Sequence, residues 1–202
     1  MPDTASFIAA LLAACSVKLL DDLLDSGPDD DLYAHRAVYC ALALCLACLA
    51  RAGVAVPLFL ACYAVGMIMT PAGGAPPAPG TGKVFSASAV APAFLRFAEP
   101  AGAVLVLIAF YGPARAAAAL LLALFAQLGD DILDFRADLA SGQANLVHRF
   151  GVVECALAAA SMLFAAASLE FRLTLCALAG AVSVWAGERA VRRVAGGGAG
   201  DR

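Results

Sequence analysis

The feature that most limits what this chain can fold into is the length of its uncharged runs. Apolar stretches at roughly residues 4–24, 34–50, 53–70, 86–111, 113–135, 151–169 and 172–190 follow one another with short polar breaks. Most are rich in Ala, Leu and Val and lack a polar face, as helices surrounded by lipid do. With 63% of residues hydrophobic and 14% charged, there is too little charge to coat a water-soluble domain of 202 residues. The expected fold is therefore all-α, a polytopic transmembrane helical bundle of seven spans forming a single domain over residues 1–202.

The second and third stretches are short for a hydrocarbon core about 30 Å thick. The fourth contains Pro92, Arg96, Glu99 and Pro100, which predict a kink or a partly interfacial segment, with Arg96 and Glu99 spaced to pair on a helix. The longest break, TPAGGAPPAPGTGK at residues 70–83, is a Pro/Gly loop. The first stretch lacks the basic flank and small-residue cleavage site of a signal peptide, so it is expected to remain as a helix. Cys45 and Cys48 share one run but have no second pair or histidine beside them, so the seven cysteines read as small packing residues rather than metal ligands. A net charge of −3, with basic residues clustered only near the C-terminus, argues against a nucleic-acid partner.

Against this background the acid is concentrated. Ten of the sixteen acidic residues lie in KLLDDLLDSGPDDD (18–31) and QLGDDILDFRAD (127–138). A shift of 109 residues lays Asp21, Asp22, Asp25 and Asp29 on Asp130, Asp131, Asp134 and Asp138, and Lys18 on Gln127. Steps of three and four residues return to one helical face. Carboxylates stacked that way repel one another, and near a membrane the cost rises, so the pattern calls for a cation. Rows of carboxylate oxygens suit a hard ion such as Mg²⁺, which keeps several waters and shares its remaining positions with phosphate.

Four spans separate the ends of the first and fifth stretches, so both clusters are expected on one side of the membrane. Arg36, Lys83, Arg136, Arg149, Arg189, Arg192, Arg193 and Arg202 fall on that side, against Arg51, Arg115 and Arg172 on the other. The positive-inside rule then predicts that the clusters and the C-terminus are cytoplasmic in an integral protein of a prokaryotic cell membrane.

At these residues the chain resembles the UbiA superfamily of intramembrane prenyltransferases. Members carry N-D-x-x-D-x-x-x-D, and here Asp21-Asp22-Leu-Leu-Asp25-Ser-Gly-Pro-Asp29 matches, with Asp21 where Asn is usual. The second motif, close to D-x-x-x-D-x-x-x-G-x-x-T-L-x-x-R-x-G in the menaquinone-type branch, is matched by DFRADLASGQANLVHRFG. It places Asp134, Asp138, Gly142, Leu146, Arg149 and Gly151 in register. The resemblance covers roughly residues 10–170. Members usually have eight or nine spans, and here Gln143 stands where a basic residue often follows the glycine and Asn145 where Thr is usual.

The resemblance implies a helical bundle around a central cavity and transfer of a prenyl group from an isoprenyl diphosphate to a lipid or aromatic acceptor. Its aspartates would be Asp22, Asp25, Asp29, Asp131, Asp134 and Asp138 as Mg²⁺ ligands, with Asp22, Asp25, Asp134 and Asp138 the catalytic ones. Lys83, Asn145 and Arg149 are the implied donor-binding residues. Lys18, one turn before Asp22, is a further candidate that the family pattern does not supply, and pairing with a neighbouring acid explains it equally well. Membrane lipids are the other expected partners. Tyr33, Tyr39, Tyr63, Tyr111 and Trp185 read as an interfacial belt, and His35 and His148 as interfacial residues. A competing expectation is a non-catalytic membrane protein that retains the metal or lipid-phosphate site.

Overall fold

The computed structural model describes the backbone over residues 2–25, 33–69, 93–141 and 146–197. Side chains are described over 2–21, 35–69, 97–135 and 146–191, and at Leu139. Among the described residues every regular element is a helix: α1 (Thr4–Asp25), α2 (Tyr33–Met69), α3 (Ala93–Tyr111), α4 (Pro113–Ser141), α5 (Leu146–Phe150), α6 (Val152–Leu169) and α7 (Phe171–Gly197). Four helical stretches are long and apolar enough to cross a membrane, namely Thr4–Asp21, His35–Met69, Pro113–Phe135 and Val152–Leu169. The apolar part of α3, Phe97–Tyr111, is shorter. Residues 86–92 of the expected fourth stretch and the Pro/Gly loop lie outside the described residues.

Local chemistry sets the ends and turns. Asp3 caps α1, its Oδ1 accepting from the Ser6 amide at 2.8 Å, which satisfies one of the amides a helix start leaves open. Gly112 and Pro113 make the turn from α3 to α4. Gly112 adopts φ 80°, a region that suits a residue without Cβ, and Pro113 needs no amide partner at the first position of a helix.

The second and third apolar stretches form the single element α2, broken at Arg51, where the backbone is extended (φ −165°, ψ 92°). Contacts on either side show that the chain reverses there. In the first limb the Cys40 carbonyl accepts from Ser16 Oγ at 3.0 Å, and Arg51 forms an ion pair with Asp3 at the start of α1. In the second limb Gly66 and Met67 return to the level of Lys18 and Asp21, with which they line one cavity. A guanidinium between two apolar limbs is a strong reason to turn, because it keeps its water only at the surface.

Alanine dominates the core, with a few leucines such as Leu58, Leu107, Leu122 and Leu173 set among it. Ala9, Ala10, Ala13, Ala47, Ala55, Ala61, Ala118, Ala119 and Ala166 are almost wholly buried. Large apolar side chains point outward instead: Leu49 is 83% exposed, Phe110 79% and Phe164 73%. A water-soluble protein shows the reverse distribution. In a membrane, lipid tails are as apolar as leucine, and helices associate through small residues that let their backbones approach. At Gly180, where α7 meets α1, an added Cβ would lie 2.8 Å from the Ala10 carbonyl oxygen. Cys40, Cys155 and Cys176 are buried, and all seven thiols are free, as packing residues would be.

Candidate functional site

Helices α1, α2, α4 and α7 enclose a cavity of about 150 Å³. Its walls are mainly apolar, with Ala13, Val17, Leu58, Leu122, Phe125 and Ala181 among them. Charge enters at one end only, from Lys18, Asp21 and Asp130 beside the amide of Gln127. An apolar cavity of about 150 Å³ is large enough for a benzene ring.

The charged end joins the two acidic stretches. Lys18 Nζ lies 3.6 Å from Asp21 Oδ2 on its own helix, 3.8 Å from Asp130 Oδ2 on α4 and 3.9 Å from Glu188 Oε1 on α7. One ammonium thus stands among three carboxylates from three helices. The side chains of Lys18, Asp130 and Glu188 are only about a quarter exposed, so solvent screens the group weakly. Asp134 lies one turn beyond Asp130 on α4. The 109-residue repeat paired Asp21 with Asp130, and these are the residues that meet.

The floor is shaped by Trp185. Its ring packs tilted against Phe125, centroids 6.0 Å apart, and lies over Gly129 so closely that an added Cβ would come within 2.6 Å of the indole. Glycine beside Asp130 therefore lets α7 bring its indole onto α4. Trp185 thus forms part of the cavity wall. Tyr63 likewise lines the cavity and donates from its hydroxyl to Glu99 Oε2 on α3 at 3.0 Å. Glu99 thus has Tyr63 as a partner, while the Arg96 side chain lies outside the described residues.

Other expected residues divide into three groups. Lys18 is brought to the cavity mouth, where its contacts are carboxylates. Asp131 turns from the mouth toward α5: its Oδ2 accepts from the Leu146 amide at 3.2 Å and its Oδ1 from Gln127 at 3.4 Å. That bond ties the start of α5 to α4, while buried Val147 seals the same helix against Leu128, Cys155 and Ala159. Arg149 is exposed, with its guanidinium 5.4 Å from the Phe150 ring, and it does not line the cavity. His148 packs edge-on against Phe135 at 5.0 Å. Asp22 and Asp25 occupy the last turns of α1 and Asp138 the last turns of α4, with their side chains outside the described set. Asp29, Lys83 and Asn145 lie outside the described residues altogether.

Among the described residues no group of three or more His, Cys, Asp or Glu side chains comes together as a metal holder. The donors at hand are nevertheless all hard carboxylate oxygens, the type Mg²⁺ prefers, and the helix ends carrying Asp22, Asp25 and Asp138 extend beyond the same mouth. Glu188 is the group that motif reasoning passed over. Its signal was present as an ionisable residue closing the apolar part of α7. Comparisons of the chain with family models, with curated proteins and with solved structures find no match.

Proposed function

We propose that the protein is an intramembrane prenyltransferase of the UbiA type, moving a prenyl group from an isoprenyl diphosphate to a lipid or aromatic acceptor. The observation that carries this reading is the meeting of Asp21 and Asp130 around Lys18 at the charged mouth of an apolar cavity. An amphipathic donor asks for that division, with its diphosphate among charges and its prenyl group among Ala, Val and Leu. The mouth is taken to face the cytoplasm.

In this reading Asp22, Asp25, Asp29, Asp134 and Asp138 would hold Mg²⁺, and Asp131 would contribute through whichever lone pairs its bonds from Leu146 and Gln127 leave. Bound there, Mg²⁺ would neutralise the departing diphosphate. Lys18 is the cation already at the mouth, and contact with a donor would exchange some of its carboxylate partners for phosphate oxygen. The cavity takes the first part of the prenyl chain, since its volume is that of one small ring, and longer chains leave between the helices. Its apolar walls keep water from an allylic carbocation while the acceptor approaches.

The test offers prenyl diphosphates of several lengths with quinone-precursor and glycerol-phosphate acceptors, scoring transfer and donor hydrolysis together. Asp25→Asn and Asp134→Asn are each expected to lower turnover at least about a hundredfold, with the double variant hardly worse, because groups serving one transition state are non-additive. Donor affinity should fall when Mg²⁺ is chelated. A protein that binds the donor but neither transfers nor hydrolyses it would instead be a non-catalytic binder. The ammonium already lodged between the acidic stretches favours that second reading. Donor affinity indifferent to both aspartates would remove the site from either account.

A further inference from the structure

At the end of the bundle opposite the acidic mouth lies a second, larger cavity of about 240 Å³. Its lining brings together Arg51 from the break in α2, Arg115 from the first turn of α4 and Arg172 from the first turn of α7. Two carboxylates face them. Asp3 pairs with Arg51 through one terminal nitrogen, and Glu170 Oε1 accepts from Arg115 Nε at 3.2 Å. These pairs leave donors over, since the bond from Arg115 uses its Nε and the ion pair of Arg51 one terminal nitrogen. Arg172 is exposed and has no carboxylate partner among the described residues.

Three guanidinia against two carboxylates around one cavity leave a net positive site. The first turns of α1, α4 and α7 add partial charge of the same sign. A guanidinium fork matches the oxygens of a phosphate group in geometry as well as charge, which a point charge does not. The adjoining outer surface of the helices is apolar, with Phe110 and Phe171 both exposed.

We infer that this cavity binds a phosphate group through Arg51, Arg115 and Arg172. The group is supplied either by the headgroup of an anionic lipid whose tails lie along the apolar helix faces or by a free phosphate. The site is independent of the chemistry proposed for the acidic mouth.

The full-length chain in detergent, exchanged against phosphatidylcholine vesicles with or without phosphatidylglycerol, tests it by native mass spectrometry. A parallel titration with inorganic phosphate reads thermal stability. One phosphatidylglycerol is expected to remain per chain, and Arg172→Gln and Arg115→Gln should each weaken its retention roughly tenfold or more. Arg189→Gln, an exposed arginine at the other end, should leave it unchanged. Displacement of the lipid by inorganic phosphate, or stabilisation by phosphate alone that Arg172→Gln abolishes, identifies the phosphate group as the recognised element and the soluble anion as a ligand in its own right. Arg172 is exposed and makes no hydrogen bond or ion pair among the described residues, so its substitution tests binding more than folding. Equal retention of both lipids together with a phosphate response unaltered in Arg172→Gln would overturn the assignment.

Discussion

The two ends of the bundle treat charge in opposite ways. At the arginine end each carboxylate stands where a helix begins: Asp3 caps α1, and Glu170 immediately precedes α7. At Asp3 the dipole of α1 favours the negative charge, at Glu170 the dipoles of α6 and α7 oppose one another, and each carboxylate has an arginine opposite it. At the other end Asp21 sits in the last turns of α1, where the dipole disfavours it, and the Lys18 ammonium stands among carboxylates from three helices. The first arrangement stabilises the fold as it stands. The second gathers several carboxylates in a place where Lys18, Asp130 and Glu188 are only about a quarter exposed, the setting in which a cation or an anionic ligand changes the balance most.

Reversing one charge at each end gives the largest contrast. Lys18→Glu places a fourth carboxylate among Asp21, Asp130 and Glu188 and should cost about 3 kcal/mol or more, because an unpaired half-buried charge has nowhere to go. Arg172→Glu, on an exposed side chain, should stay within about 0.5 kcal/mol. Chemical unfolding in detergent micelles measures both. Equal losses would mean that the two ends share one kind of electrostatics after all.

Adding a methyl group at each end sharpens the contrast through packing. Gly129→Ala drives a Cβ into the Trp185 ring and should destabilise by about 1–3 kcal/mol. Trp185 is the single tryptophan, so its near-UV signal should change with it. Gly53→Ala, at the arginine end, meets nothing within 4 Å and should be neutral or stabilising by up to about 1 kcal/mol, since alanine is the better helix former.

The smallest effect is one of pH. The bonds from Ser6, with Arg51 nearby, hold the Asp3 carboxyl below the usual carboxylate range. A lowered value in the folded state means a contribution that is present above the ordinary carboxylate pKa, about 3.9, and lost as pH falls through the lowered one. Acidification below about pH 4 should therefore release the start of α1, read as faster hydrogen exchange at Ser6 and Phe7, and Asp3→Asn should shift that onset. An exchange rate at these amides that ignores the substitution would leave the cap without a role.

Much of the helical layout was legible because hydropathy is a local property. The break at Arg51 could be placed between residues 50 and 53 from a charge and a glycine flanked by apolar runs. The meeting of the two acidic stretches followed from span parity together with the 109-residue repeat. The side chains that shape the cavity were not legible in the same way. Tyr63 and Trp185 sit near the ends of apolar runs, where an interfacial position is the usual reading, and only their long-range partners, Glu99 and Gly129, reveal that they also shape the cavity. Glu188 becomes informative only beside Lys18, and no local pattern spans that separation. Asp131 looked like its neighbours in the repeat, and its bond to Leu146 depends on where the chain returns after α4. Hydropathy also does not say which apolar side chains face inward.

That last distinction, alanine within and leucine and phenylalanine without, has a consequence for order. Alanine has no rotamers to lose when it is buried, so at those positions bringing the helices together orders little besides the backbone. Leu49, Phe110 and Phe164, left facing outward, keep their torsional freedom in either state. The seams therefore alternate: runs of alanine, where backbones approach, are interrupted by a few fully meshed leucines such as Leu58, Leu107, Leu122 and Leu173. Along a seam such as Ala10 against Gly180, where no rotamer is at stake, the helices can shift against one another by small amounts, whereas the buried leucines hold them in register.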